Sequence, residues 1–331
     1  MDITTKRPIN EGAEKLLGLY FPVLDFGFCS LVDYMGTDQC IETAARISYG
    51  AGTRKTSQTK GLLRYLKRHK HSSPYEMIEF KFHCSMPIFV ARQIIRTRTA
   101  NVNEISGRYS LLPMIFYTPT EDQFKKQSQS NNQGRSEEKL SSKEYNSAIE
   151  RWNTLRRQNQ RLYEDLTDAE LARELARIDL PLSTYTQWYW KIDLHNLLHF
   201  LTLRTDSHAQ YEVREYANVM AGMLKLAVPI SYEAWIDYTV GAKQFSRQEI
   251  EILHELIKVK EFDGMQYLQG ENDVPMSEIE RKISKREISE LFDKLTPKTI
   301  PDFNLDLSTA KTPEYFEKIM TEFVPKTYKS R

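Results

Sequence analysis

The chain has 331 residues, 40 % of them hydrophobic, which is enough for a substantial core and suggests one large domain with an accessory part. Lysine and arginine number 46 against 45 aspartates and glutamates, and the formal charge of +1 argues against a dedicated nucleic-acid binder while leaving room for local basic pockets. The three cysteines, Cys29, Cys40 and Cys84, form no CxxC pair, so a disulfide framework and a structural zinc are not expected and a reducing compartment fits best.

No run approaches the roughly 18 apolar residues of a membrane span. The opening MDITTKRPINEGAEKLLGLY lacks the apolar core of a signal peptide, so a soluble, cytoplasmic protein is expected. Residues 1–27 read as an N-terminal extension. FCSLVDYM, residues 28–35, reads as a strand, and Gly36-Thr37-Asp38 ends it. DQCIETAARIS then reads as a short helix with Cys40, Ile41, Ala44, Ala45 and Ile47 inward, and Arg46 open to a structural or a functional use. GLLRYLKRHKH is an amphipathic helix whose basic face, Lys60, Arg64, Lys67, Arg68 and Lys70, is a solvated surface or an attractor of phosphates. After a turn at Ser73-Pro74, Ile78, Phe80, Phe82 and Cys84 alternate with Glu79, Lys81 and His83, the period of a half-buried strand. Pro87 suits a first helical position, and IFVARQIIR continues with helical periodicity. Arg92 and Arg96 share a face of that helix, and Thr97, Thr99 and the asparagines beyond should end it near residue 97.

Residues 121–147 are polar and low in complexity, a mobile insertion or long loop. Helices are expected near 145–165, with Ile149, Trp152 and Leu155 inward, and near 168–178, where Thr167 and Glu170 have capping-box spacing. LPLSTYTQWYWKID is aromatic and β-prone, with its rings read as core, and LHNLLHFLTLR reads as a buried helix. Ser207 and Gln210 resemble a capping box before a long helix from residue 208. Beyond about residue 230, helices near 246–260 and 277–293 each open with Ser-x-x-Glu, and a tail with Pro301, Pro313 and Pro325 follows. Residues 231–331 therefore read as an accessory helical segment outside a domain at 28–230.

The stretch RTRTANVNEISGRYS, residues 96–110, carries the densest chemistry. Past the helix end Arg96 and Arg98 need not diverge, and their forks match phosphate oxygens. Arg108 adds a third fork, Gly107 lets a ligand approach the backbone, Ser106 supplies a hydroxyl, and Glu104 can accept from a ribose hydroxyl or a ring N–H. The set suits an anionic nucleotide; the alternative is a surface loop whose arginines pair with nearby carboxylates.

Arg96-Thr97-Arg98, then seven residues, then Ser106 resembles the Arg-His-Arg-x7-Ser signature of the flavin-dependent thymidylate synthases. HSSPYE, ARIDLPLSTYTQWYW, DLHNLLHFLTLR and RTDSHAQYE resemble further blocks of that family in the same order. The resemblance implies an α+β fold, a sheet flanked by helices, assembled as a homotetramer with interface active sites. It implies methylation of dUMP to dTMP, with 5,10-methylenetetrahydrofolate as carbon donor, FAD as cofactor and NADPH as reductant. Arg204 corresponds to the arginine that contacts the uracil edge and favours its ionised form. Gln93, Arg96, Glu104, Ser106, Gly107, Arg108 and Arg177 match dUMP-binding positions. Ser73, Arg96, Thr97, Arg98, Glu104, Asp193, His195 and His199 match flavin-contacting ones, and His71 and Tyr109 lie where folate and flavin meet.

Three positions depart from the pattern. Thr97 replaces the central histidine, so any imidazole role there is lost, and Asp193 and His195 stand where many members have Asn and Arg. An aspartate repels a flavin phosphate but suits a ribose or adenine. His195 and His199 are four apart, but HNLLH lacks the glutamate of HExxH and no metal is expected. Asp206-Ser207-His208 reads as a helix cap, with His208 bracing Arg204, rather than as a triad. No cysteine has an activating neighbour, and Cys84 reads as core. Two rivals remain: a hydroxymethyltransferase of pyrimidine nucleotides on the same scaffold, and a nucleic-acid-binding module using RYLKRHKH and the 96–108 stretch.

Overall fold

The computed structural model describes residues 7–49, 59–129, 133–262, 265–270, 294 and 299–325. These divide into two compact units, one running to Ala234 and resuming at Phe303, the other Trp235–Asp302.

The first unit is built on a five-stranded antiparallel sheet in the order β1-β2-β3-β7-β4. Its strands are β1 (Tyr20–Val23), β2 (Gly27–Met35), β3 (Glu79–Pro87), β4 (Ala100–Glu104) and β7 (Tyr185–Asp193). The alternation seen in the sequence is what the sheet uses: Phe80, Phe82 and Cys84 are buried along β3, and Trp188, Trp190 and Ile192 along β7. Helices α8 (Leu194–Arg204) and α9 (Tyr211–Ala227) cover that inner face. Trp190 sits between Phe82 and Phe200, with ring centroids 6.2 and 5.2 Å away. The Tyr216 hydroxyl donates to the Ser85 carbonyl at 2.6 Å. Cys29 and Cys84 are cross-strand partners with free thiols 3.7 Å apart, and burial pushes the Cys84 thiol well up. The mixed architecture is the α+β class that the sequence indicates.

The outer face is closed at one end by α12 (Pro313–Glu322). Lys311 pairs with Tyr20, and Phe316 packs 4.7 Å from Phe28. The last described residues thus belong to the first unit, although they fall within the stretch assigned to an accessory segment. The expected N-terminal extension likewise holds α1 (Glu11–Glu14) and β1, an edge strand of the sheet.

Helix α2 (Asp38–Arg46) stops short of Ile47, which is 82 % exposed, and buries Glu42, whose carboxylate accepts from Arg46 Nε at 2.7 Å. Arg46 is thereby structural. Helix α3 (Thr59–Arg68) carries the basic face, but Lys60 and Arg64 pair with Glu233 at 2.7 and 3.6 Å. Burial pulls Lys67 down to about 8. A face so engaged is a poor phosphate track, which weighs against the nucleic-acid rival. Two short helices frame β3, α4 (Ser73–Glu76) before it and α5 (Ile88–Ile94) after it.

The polar stretch 121–147 was expected to be a loop. It contains the hairpin β5 (Lys125–Gln127) and β6 (Arg135–Lys139), and then the start of α6 (Ser142–Asp168). Ion pairs Lys125–Glu137 and Lys139–Asp122 staple it, at 2.7 and 2.6 Å. The capping box that forms is Ser141/Glu144, not Thr167/Glu170. Thr167 instead donates back to the Tyr163 carbonyl, and Glu170 adopts φ +63°, the left-handed turn that ends α6. Trp152 and Leu155, expected inward, are 39 % and 54 % exposed, and Tyr163 alone of α6 is fully buried among its 27 residues. A four-residue helix, α7 (Arg173–Ala176), follows, shorter than expected.

After α10 (Pro229–Trp235), the second unit holds a π-helical stretch, Ile236–Val240, and α11 (Arg247–Leu256). The Ser246/Glu249 box forms, with both backbone amides satisfied. The helix ends at Leu256, earlier than expected, and Ile257, Lys258, Val259 and Lys260 alternate apolar and basic at the start of β8 (Ile257–Phe262), paired with β9 (Met265–Gly270). The helix expected near 277–293 lies outside the described residues.

Candidate active site

β4 begins, β3 begins and β7 ends at the same end of the sheet. The register sets Glu79 opposite Asp193 and Ala100 opposite Ile192, and Leu194 N donates to Ile78 O at 2.8 Å. Ser73 in α4, Thr97 and Arg98 just before β4, Asp193 and His195 are therefore gathered there by topology. The helix α5 ends at Ile94, slightly earlier than expected, with Thr97 N closing onto Ile94 O at 2.9 Å. Both Arg96 and Arg98 lie beyond it, so the divergence that a continuous helix would impose on them does not arise.

Asp193 caps α8. Its carboxylate accepts from Asn196 N at 2.9 Å and from Asn196 Nδ2 at 2.7 Å, and the residue is 9 % exposed. Asp193→Ala is expected to cost about 1 kcal/mol in denaturant unfolding, while Asp193→Asn, an equally good cap, should cost far less. Equal losses in the two variants would show that the cap is not what the carboxylate contributes. His195 is half-buried and His199 exposed; among the described residues no group of three or more His, Cys, Asp or Glu could hold a metal. The His71 ring lies 6.1 Å from Tyr65 and nearly parallel to it.

At the far end of β4, Thr186 Oγ1 donates to Glu104 Oε1 at 2.5 Å, and Ile105 N to Gln187 O at 2.9 Å. Ser106 then opens a turn, its carbonyl accepting from Tyr109 N and Ser110 N and its hydroxyl from Arg108 N. Helix α7 backs that turn: Arg173 Nη1 donates to Tyr109 O at 2.7 Å, and Arg108 Nε to Glu174 at 3.0 Å. A Cβ on Gly107 would meet Arg177 Cδ at 3.0 Å and Leu112 at 3.1 Å, so Arg177 lies directly against the glycine. The Tyr109 ring is 76 % exposed. Arg108 thus has a carboxylate partner. The side chains of Arg96, Arg98, Arg177 and Arg204 make no hydrogen bond or ion pair among the described residues. Four guanidinium groups left for something other than this protomer's carboxylates is the donor set that an anionic ligand needs.

Gln93, on the last turn of α5, donates through Nε2 to Gln210 Oε1. Gln210 in turn donates to Glu212 Oε2 at 2.9 Å, and Glu212 Oε1 accepts from the Tyr117 hydroxyl at 3.0 Å and from Arg135. The Ser207/Gln210 box does not form, because the Gln210 side chain is committed here and α9 starts at Tyr211 without a side-chain cap. His208 bonds Asp206 at 2.7 Å rather than bracing Arg204. Burial alone would raise the Glu212 carboxyl, but Arg135 and Gln210 outweigh it and hold the pKa below the ordinary 4.5. A depressed native pKa contributes stability at neutral pH that is lost as pH falls from 4.5 through the lowered value. Denaturant midpoints should therefore drop over that range, and the drop should flatten in Glu212→Gln.

Residues of this chain, Arg135, Gln210 and Glu212 with Tyr117, also line a cavity of about 480 Å³ that Arg96, Arg98 and Arg204 do not border. The sequence reading gave Gln210 to a helix cap and missed the other three. A detectable signal was there: Glu212 interrupts the apolar stripe of Val213, Tyr216, Ala217 and Met220, and a carboxylate in such a stripe demands a buried partner.

Residues 30–230 match the family model described as thymidylate synthase complementing protein. Over 294 residues, the chain is 48 % identical to the flavin-dependent thymidylate synthase of Wolbachia pipientis wMel, covering 88 % of this chain and 98 % of that protein. The enzyme of the same description from Dictyostelium discoideum is 51 % identical over 239 residues, 70 % of this chain and 78 % of that one. Among solved structures, the UMP/dUMP methylase PolB from Streptomyces cacaoi, bound with 5-Br UMP, superposes with a TM-score of 0.59 at 29 % identity, over 66 % of this chain and 98 % of that one. The fold is therefore the α+β fold shared with that methylase, and the chain belongs to the flavin-dependent thymidylate synthase family.

Proposed function

We propose that the protein converts dUMP to dTMP, with 5,10-methylenetetrahydrofolate as carbon donor, FAD as cofactor and NADPH as reductant. The observation that carries this reading is the set of guanidinium groups without a hydrogen-bond or ion-pair partner among the described residues, Arg96, Arg98, Arg177 and Arg204, on the elements that frame one sheet and its adjoining turn. Arg96, Arg177, Ser106 and the Gly107 backbone would hold the phosphate and sugar, with Gln93, Glu104 and Arg108 at the same ligand. Arg204, at the C-terminal end of α8, would face the uracil edge and favour its ionised form, so that C5 gains the nucleophilic character needed to take the one-carbon unit. Ser73, Thr97, Arg98, His195 and His199 would hold the flavin. Asp193 would act there through the α8 terminus that it caps. When bound, the flavin supplies the reducing equivalent that completes the methyl group. His71 and the exposed Tyr109 ring would flank the folate.

Thr97 offers no imidazole, and the reading gives it a backbone and hydroxyl contact only. Helix α6, with Trp152, Leu155 and Leu162 exposed along 27 residues, supports assembly into a homotetramer whose active sites lie between subunits. No helix of the described residues is long and apolar enough to cross a membrane. We place the enzyme in the cytoplasm, with no nucleic acid as partner.

The test is incubation of the purified protein with dUMP, methylenetetrahydrofolate, FAD and NADPH, with chromatographic detection of dTMP. No dTMP from a flavin-loaded protein would end the reading. Turnover that persists without NADPH, giving a hydroxymethylated nucleotide, would point to the sister chemistry.

A further inference from the structure

The hydrogen-bond chain from Arg135 to Gln93 has a fixed polarity. An ionised carboxylate only accepts. Glu212 therefore obliges Gln210 to turn its Nε2 inward, as observed at 2.9 Å. That leaves Gln210 Oε1 facing α5, so Gln93 must also turn its Nε2 towards Gln210. The Gln93 Oε1 is then the free end, with no protein donor among the described residues. Glu212 is 1 % exposed, and its second oxygen is taken by Tyr117 and Arg135. Arg135 comes from β6, so the hairpin at 125–139 supplies the charge that keeps this carboxylate ionised.

Building on the dUMP reading above, we propose that Glu212 is a positioning residue: through Gln210, and held by Arg135, it fixes the Gln93 amide with its oxygen outward, so that the site accepts a hydrogen bond from a donor on the nucleotide. Remove the acceptor-only end and each amide is free to flip. A flipped Gln93 offers an N–H to a ligand donor, and the bond becomes a repulsion.

The experiment is calorimetric titration of the FAD-loaded protein with dUMP. Gln210→Leu leaves the Glu212–Arg135–Tyr117 cluster intact and removes only the relay. It should weaken dUMP binding by about three- to tenfold, the worth of one hydrogen bond. Gln93→Leu should weaken it by a similar factor, and the double variant should be no weaker than Gln93→Leu alone, since both changes remove the same bond. Arg135→Met should mimic Gln210→Leu, and Arg135→Lys should restore most of the affinity. Wild-type affinity in Gln210→Leu, or additive losses in the double variant, would overturn the proposal. Wild-type protein that loads flavin but does not bind dUMP would overturn the functional reading instead. The relay is then decided without ligand, by nuclear magnetic resonance of protein carrying ¹⁵N-glutamine. The Gln93 side-chain NH₂ should be protected from exchange in wild type and lose that protection in Gln210→Leu; equal protection in both refutes the relay.

Discussion

Arg204→Ala is expected to reduce dTMP formation by at least about a hundredfold while the visible flavin spectrum of the purified protein stays unchanged. Arg204 is the last residue of α8, half-buried, and its guanidinium has no hydrogen-bond or ion-pair partner among the described residues, so its removal strands no buried carboxylate there. What it removes is the positive charge proposed to face the uracil. Losing one donor aimed at developing negative charge typically costs about 10²–10³ in turnover. Arg204→Lys keeps the charge but not the planar fork, and should recover only part of the rate. Steady-state assays with dUMP, read beside the flavin absorbance, check both variants. An alanine variant that turns over at the wild-type rate would remove Arg204 from the chemistry.

Trp190→Ala is expected to lower unfolding free energy by about 3–5 kcal/mol, the range for emptying an aromatic site that cannot collapse. The indole is 1 % exposed, on the central strand pair β3–β7, and contacts rings from both the sheet and α8. The consequence reaches beyond stability, because β7 positions Asp193 and the start of α8 at the flavin end of the proposed site. Denaturant unfolding measures the loss; a decrease below about 1 kcal/mol would mean that neighbouring side chains refill the space. Trp190→Phe should cost much less.

The parts of this fold that rest on one residue period and one local signal could be read from the sequence. β3 follows from the alternation of Ile78, Phe80, Phe82 and Cys84, and α8 coincides with LHNLLHFLTLR to the residue. β4 was not anticipated. Its residues Ala100–Glu104 are largely exposed, so no burial pattern marks them, and they become a strand because β7 offers an unpaired edge. The capping boxes show the same limit. Ser141/Glu144 and Ser246/Glu249 form, whereas Ser207/Gln210 does not, since the buried carboxylate of Glu212, two residues on in the first turn of α9, claims the glutamine.

For the site, the sequence displayed the arginines and the glycine of residues 96–110 because they lie within one short stretch. It could not display their surroundings. The closeness of Arg177 to Gly107 depends on where α7 lands, and the tie between Gln93 and Arg135 joins a helix to a hairpin with no periodicity in common. Asp193 looked like a foreign charge near a phosphate; the structure gives it a helix terminus to satisfy. Such pairings are properties of tertiary arrangement, and no local propensity encodes them.

The bridge between Lys311 and Tyr20, with Phe316 laid against Phe28, joins segments far apart in the sequence on the same sheet. During synthesis β1 must wait for Lys311 and α12 to leave the ribosome before that apolar patch is covered. Closure of so long a loop slows the last step of folding, and the uncovered aromatic rings make nascent or truncated chains candidates for chaperone capture.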